Sequence, residues 1–284
     1  METKRSPIIP ILAVCIWGSL YIASGIVLKE IPALLLLFFR FFLSSVILIA
    51  LGFRTFKRIR TEDIKHFLFI GFNGYFLANA ALMLGIQFST GSFSSLINST
   101  SPVFVTMFAV LILGEQIRKK DILSLVLSIL GAAIVIGSPE EAPAPFGVFC
   151  SVFSVVLWSY VTIHIQKLSE QYPPLEVTAV CMGIASVFSL PAAYAYYRIS
   201  GETLHMTSSL ILPILYICLI CTALSHFLWN RSLRAYGAAY CASFCPLQPI
   251  VSMALGVLLL HEPMTAAFLI GLVLIVAAMV IHGK

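Results

Sequence analysis

Ser101-Pro102-Val103-Phe104, followed by Leu111-Ile112-Leu113-Gly114-Glu115, has a second version later in the chain. That version is Gln248-Pro249-Ile250-Val251, followed by Leu258-Leu259-Leu260-His261-Glu262. Pro102 and Pro249 stand 147 residues apart, as do Glu115 and Glu262, and the same offset carries Asn79 onto His226. Upstream, Ile16-Trp17 matches Leu157-Trp158 at an offset of 141, so a short insertion separates the copies. Self-similarity of this kind marks a duplicated unit. It divides the chain into halves at 1–137 and 145–284, with 138–144 as a linker.

Both copies are strongly apolar. Of 284 residues, 60% are hydrophobic and 10% are charged, and the mean hydropathy is +1.02. Soluble domains carry roughly 25% charged residues, so the natural solvent of this chain is lipid. Apolar runs lie near 8–28, 33–53, 64–86, 91–113, 121–137, 145–167, 174–197, 208–230, 237–260 and 265–282. Most approach the roughly 20 residues that a spanning helix needs. Lys4 and Arg5 precede the first run in the manner of a signal peptide, but the run is long for one and others follow it. It reads as an uncleaved first helix.

The basic residues fix the orientation. With ten spans and a cytoplasmic N-terminus, 14 of the 17 Lys and Arg residues fall inside. Lys29 and Arg198 fall outside, and Arg40 lies within a helix. The positive-inside rule therefore puts both termini in the cytoplasm. It also explains the net charge of +5 without nucleic acid as a partner. Five helices per half is an odd number, so the second half enters the membrane from the opposite side. The expected fold is an all-α integral membrane protein of ten transmembrane helices, two inverted five-helix repeats around a central cavity. Inverted repeats of this kind serve alternating access in secondary transporters.

Polar residues inside spans are costly and mark cavities or partners. Arg40 offers a guanidinium to a substrate carboxylate, or else snorkels or caps a neighbour's carbonyls. Asn73, Asn79, Asn98, Asn230 and Gln248 offer hydrogen bonds to a substrate or between helices. Trp17, Tyr21, Trp158 and Tyr160 lie well inside their helices and offer aromatic walls. His164 and His226 are expected near cytoplasmic helix ends. Pro102, Pro246 and Pro249 are expected to kink helices four and nine. No Asp or Glu lies deep, so a carboxylate that trades a proton for a cationic drug is missing. Glu115 and Glu262 are expected to hold loops or pair with cations, Arg118 in the case of Glu115.

The seven cysteines lie in apolar runs. They read as small apolar residues and not as a disulfide framework. Cys218-Leu219-Ile220-Cys221 has metal-site spacing, but it matches Cys241 and Cys245 poorly in depth, so no metal and no cofactor are expected. His226-Phe227-Leu228-Trp229-Asn230 has the HxxxN spacing of an intramembrane protease without the nucleophile motif that should follow, and HExxH is absent. Catalytic residues are therefore not assigned. An intramembrane enzyme, a channel or a partner subunit remain as alternatives to a carrier.

The chain resembles the EamA family of the drug/metabolite transporter superfamily. The resemblance rests on Trp17-Gly18, Arg40-Phe41, the Pro102 to Glu115 element, and Leu228-Trp229-Asn230 with Pro249 and Glu262. It covers nearly the whole chain. It implies a ten-helix fold with a cavity between the halves and, commonly, export of amino acids or related metabolites from bacteria. Helix seven has no counterpart of Arg40, so the halves differ in charge. The expected binding region is Trp17, Tyr21, Arg40, Asn79, Asn98, Trp158, His226, Asn230 and Gln248. The expected working unit is a monomer in the bacterial inner membrane, in contact with lipid and a small-molecule substrate.

Overall fold

A computed structural model describes residues 8–114, 119–136, 144–201, 207–261 and 265–283. The described residues are helical with no strands. Eight helices are long and apolar enough to cross a membrane. In chain order the helices are α1 (Ile8–Val27), α2 (Ala33–Thr55), α3 (Thr61–Gln87), α4 (Gly91–Leu113), α5 (Lys119–Ile136), α6 (Pro145–Gln171), α7 (Pro174–Ser200), α8 (Ser208–Tyr236), α9 (Ala238–Leu260) and α10 (Ala266–Gly283). The apolar stretches of α5 and α10 are shorter, Ile122–Gly131 and Ala266–Ala278. Glu115, Arg118, Glu262 and nearly all of the 138–144 linker lie outside the described residues.

Helix ends follow the run ends closely, because helices and loops are divided by the same apolar-to-polar change. Two ends differ. The reading stopped α6 at Lys167 and α8 at Asn230, whereas the helices continue to Gln171 and Tyr236. A basic residue marks where lipid ends, but Lys and Arg are good helix formers, so the backbone continues beyond the bilayer.

Two irregularities of one half recur in the other near the repeat offset, while a further π segment, Gly256–Leu260 in α9, has no counterpart in α4. α3 widens into a π-helix over Ile70–Ala78, and α8 does so over Ile217–Leu224. The offset of 147 carries Ile70 onto Ile217. A π turn leaves carbonyls poorly placed for i→i+4 bonding. Side chains reach back five residues to them: Asn79 Nδ2 donates to Gly74 O at 3.0 Å, and Thr222 Oγ1 donates to Ile217 O at 2.7 Å. α4 breaks at Ser99–Thr100, and α9 breaks over residues 243–246. The helices end in matched left-handed residues, Gly114 at φ 71° and His261 at φ 53°. Glycine adopts this conformation freely, while histidine does so at a cost.

The three prolines stand at the interruptions of α4 and α9. Pro102 stands in the first turn of the segment that resumes after the α4 break, and Pro249 in the first turn of its counterpart in α9. Pro246 closes the α9 break itself. A first-turn proline sacrifices no intrahelical bond, since that N–H has no partner anyway. These prolines restart helices and do not bend continuous ones.

Packing relates the helices in the same way. α2 lies along α7, and α5 along α10. α1 packs on α8 and α9 as α6 packs on α3 and α4, and the middle of α3 meets α7 as the middle of α8 meets α2. Some approaches require glycine. A Cβ on Gly18 would stand 2.8 Å from Gln248 O and 2.7 Å from Val251 Cβ, so α1 and α9 touch backbone to side chain. Large apolar residues such as Leu111, Leu212 and Leu258 are more than two-thirds exposed, while Arg40, Asn79, Asn230 and Gln248 are buried. That inside-out distribution suits lipid outside and a polar interior.

Between α2 and α3 the basic connection is strapped to the α6–α7 turn. Lys57 N–H donates to Glu176 Oε2 at 2.8 Å, Arg60 N–H to the Tyr172 hydroxyl at 3.1 Å, and that hydroxyl to Asp63 Oδ2 at 2.7 Å. Glu176 thus holds the loop of the other half.

Candidate functional site

Six helices enclose a central cavity, and they form two sets of three. α1 supplies Trp17, Leu20 and Tyr21, α3 supplies Ala78, Asn79 and Leu82, and α4 supplies Asn98, Ser101 and Val105. Their counterparts five helices later complete the wall: Ser154, Trp158 and Thr162 on α6, His226 and Trp229 on α8, and Ala242, Cys245 and Gln248 on α9. The cavity volume is about 40 Å³. A single water needs roughly 10–15 Å³ on this measure, so in this conformation the chamber has room for a few waters. A larger cavity, of about 300 Å³, lies at the rim between α3 and α6 and includes Asp63, His66, His164 and Lys167.

The inner wall is aromatic and edge-packed. The rings of Trp17 and Trp158 are 6.1 Å apart at 84°, and the Trp17 ring lies 5.0 Å from both His226 and Trp229. Tyr75, behind this layer, packs 5.7 Å from Trp158 and 5.5 Å from His226. Edge-to-face packing of this kind adds about 0.5–1.5 kcal/mol per pair beyond burial and fixes ring orientation.

Polar groups are set by the helix irregularities. Asn79 is anchored to the π carbonyl of Gly74. His226 Nδ1 lies 2.9 Å from Thr222 O. A carbonyl only accepts, so Nδ1 carries the proton, and the neutral ring keeps a lone pair on Nε2. Across the chamber the Tyr21 hydroxyl donates to Gln248 Oε1 at 3.1 Å, joining α1 to α9. Ser95 and Ser252 pair hydroxyl to hydroxyl between α4 and α9.

Seven of the nine expected binding residues meet at this wall: Trp17, Tyr21, Asn79, Asn98, Trp158, His226 and Gln248. His226, expected near a helix end, is buried at the centre because α8 runs on to Tyr236. Two stand behind the wall. Asn230 Nδ2 donates to the Tyr75 hydroxyl and to Thr178 Oγ1, both at 2.8 Å, which locks α8 to α3 and α7. Arg40 is wholly buried, with Nε donating to Thr222 Oγ1 at 3.0 Å and Nη1 3.3 Å from Met83 Sδ. It neither snorkels nor caps a backbone carbonyl. Tyr160 and His164 pack together with Phe69 away from the chamber. The reading missed Trp229 and Cys245 as wall residues. Trp229 carried a signal, being an indole one residue from Asn230, whereas Cys245 looked like any other apolar cysteine.

Two segments, 6–137 and 145–282, match the model of the EamA-like transporter family. The chain belongs to that family. Among similar proteins is the uncharacterized transporter YetK of Bacillus subtilis, 26% identical over 93% of this chain and 82% of its own length. Another is a probable amino-acid metabolite efflux pump of Salmonella typhimurium, 24% identical over 99% of this chain and 95% of that protein. A crystal structure covering 96% of this chain, at 16% identity, superposes with a TM-score of 0.71 and shares the fold. The EamA-like chain is thus a multi-pass helical membrane protein among transporters, and its relatives are named for transport and not for catalysis.

Proposed function

We propose that this EamA-like protein is a secondary transporter that exports an amino acid or related small metabolite by alternating access. The observation that carries this reading is the make-up of the chamber: α1, α3 and α4 face their counterparts α6, α8 and α9 across it. A site shared by two similar halves is stable in either of two mirror-like arrangements, so a modest rocking of one set against the other exposes it to alternate faces. The matched π segments and broken helices support this, because both loosen a helix beside the chamber. Two amino-acid efflux names among the relatives support the substrate class.

In this proposal ten helices span the bilayer as inverted halves, 1–137 and 145–284. Both termini lie in the cytoplasm of a bacterial cell, and a monomer suffices because one chain holds both halves. The two segments matched by the family model support those boundaries. Counterflow in proteoliposomes tests the function. Vesicles loaded with one unlabelled amino acid are expected to accumulate trace label of the same kind from outside, and only when loaded. Folded protein that catalyses no counterflow of any amino acid overturns the substrate class. Non-saturable flux that ignores internal substrate overturns the carrier.

A further inference from the structure

Four buried donors at or beside the chamber have no partner: the indole N–H of Trp17, the indole N–H of Trp229, Nη2 of Arg40 and the hydroxyl of Ser101, which is also an acceptor. Native proteins rarely leave such groups unsatisfied, and those that remain call for an explanation. Trp17 is 7% exposed and Trp229 is 1% exposed, and both line the cavity. Arg40 does not line the cavity, but its neighbours reach the wall. Thr222, which accepts from its Nε, holds His226 of the wall through its own carbonyl. Phe41, under its guanidinium at 5.5 Å, packs against the same histidine.

The charge is equally unbalanced. Among the described residues the ion pair is Arg60–Glu62, far out on the surface, and no Asp or Glu lines the chamber. A buried cation ordinarily has a carboxylate partner, but Arg40 has a hydroxyl, a thioether and a ring face. Two unpaired acceptors do exist, Asn230 Oδ1 behind Tyr75 and the Ser101 hydroxyl in the wall, and both are neutral. The lone pair on His226 Nε2 is neutral and does not offset the guanidinium. What the chamber lacks is an anion.

We infer that the site binds its substrate through a carboxylate carried on an apolar body, with the Trp17 and Trp229 N–H groups as ligands and Arg40 as the balancing charge. The aromatic wall takes the apolar part. The inference rests on the transport reading and narrows it: amines and amides without a carboxylate are not substrates.

All three tryptophans of the chain line the chamber, so intrinsic fluorescence reports this site alone. The test titrates the full-length protein in detergent with three non-fluorescent series: apolar carboxylates including leucine, N-acetylleucine and cyclohexanecarboxylate, then their amides, then the matching amines. Carboxylates are expected to change the emission saturably and to bind about tenfold or more tighter than amides, the difference between charge-assisted and neutral hydrogen bonds. Trp229→Phe keeps an aromatic ring, though a smaller one, and removes one donor; read through the emission of Trp17 and Trp158, it should weaken carboxylate binding by about threefold to tenfold while leaving amide binding nearly unchanged. Arg40→Gln should abolish the preference for carboxylate over amide, and Arg40→Lys should restore part of it. If Arg40→Gln does not fold, the Trp229→Phe shift and the parent's selectivity still decide. Equal or tighter binding of amides or amines, or carboxylates that leave the emission unchanged, overturns the inference. Counterflow separates the two claims: carboxylate binding without counterflow sinks the transport reading alone, and counterflow of a molecule lacking a carboxylate sinks the anion site alone.

Discussion

Asn230 shows how a single polar side chain in lipid divides between binding and architecture. Its amide joins Tyr75 on α3 to Thr178 on α7, and no chamber surface belongs to it. Interhelical bonds of this sort are worth about 0.6–2 kcal/mol each. Asn230→Ala is therefore expected to lower the detergent melting temperature by several degrees while leaving the counterflow KM within about twofold. A large KM change at unchanged melting would place Asn230 in the binding site after all. Sequence alone did not separate Asn230 from Asn79, because both are buried amides in apolar helices. Their facing direction decides, and a helix that is apolar on all sides carries no periodic signal for direction. Ser101 and Thr162 escaped for the same reason. Arg40 was recognised as exceptional because charge in lipid is expensive wherever it points.

Whole elements were far more legible, because bilayer thickness and the apolar-to-polar change fix their extent whatever face they present. α4 was placed at 91–113 from its run alone, and it occupies Gly91–Leu113. The breaks and π segments within elements were not legible beyond the prolines, since a π turn needs only the local accommodation that Asn79 and Thr222 supply. One close meeting of elements from opposite halves is also a one-residue matter. Gly18 lets α1 lie against Gln248 and Val251 of α9. In Gly18→Val the added side chain meets backbone oxygen, which cannot rotate away. Overpacking of this kind costs about 1–3 kcal/mol. The variant is expected to melt lower and to lose the α1–α9 bond from Tyr21 to Gln248, so counterflow should fall at least about tenfold even in the folded fraction. Counterflow at the parental rate, with parental melting, would show that α1 and α9 do not need this approach.

At the scale of the molecule, the chamber's size is the decisive quantity. With a volume of about 40 Å³ it does not hold an amino acid without movement, so the wall must rearrange for any substrate to bind. Cys245 lines that chamber and is 4% exposed, which makes it a native reporter of opening. In a protein retaining Cys245 as its sole cysteine, N-ethylmaleimide is expected to react slowly, because reaction requires the open population. A transported substrate should slow it further by occupying the same space. Crosslinking α1 to α9 beside Gly18 through groups other than cysteine should slow it too, because the two helices then cannot part at the chamber. Fast alkylation, unaffected by substrate or crosslink, would describe a standing pore. The two matched helix sets would then be ancestry without mechanism.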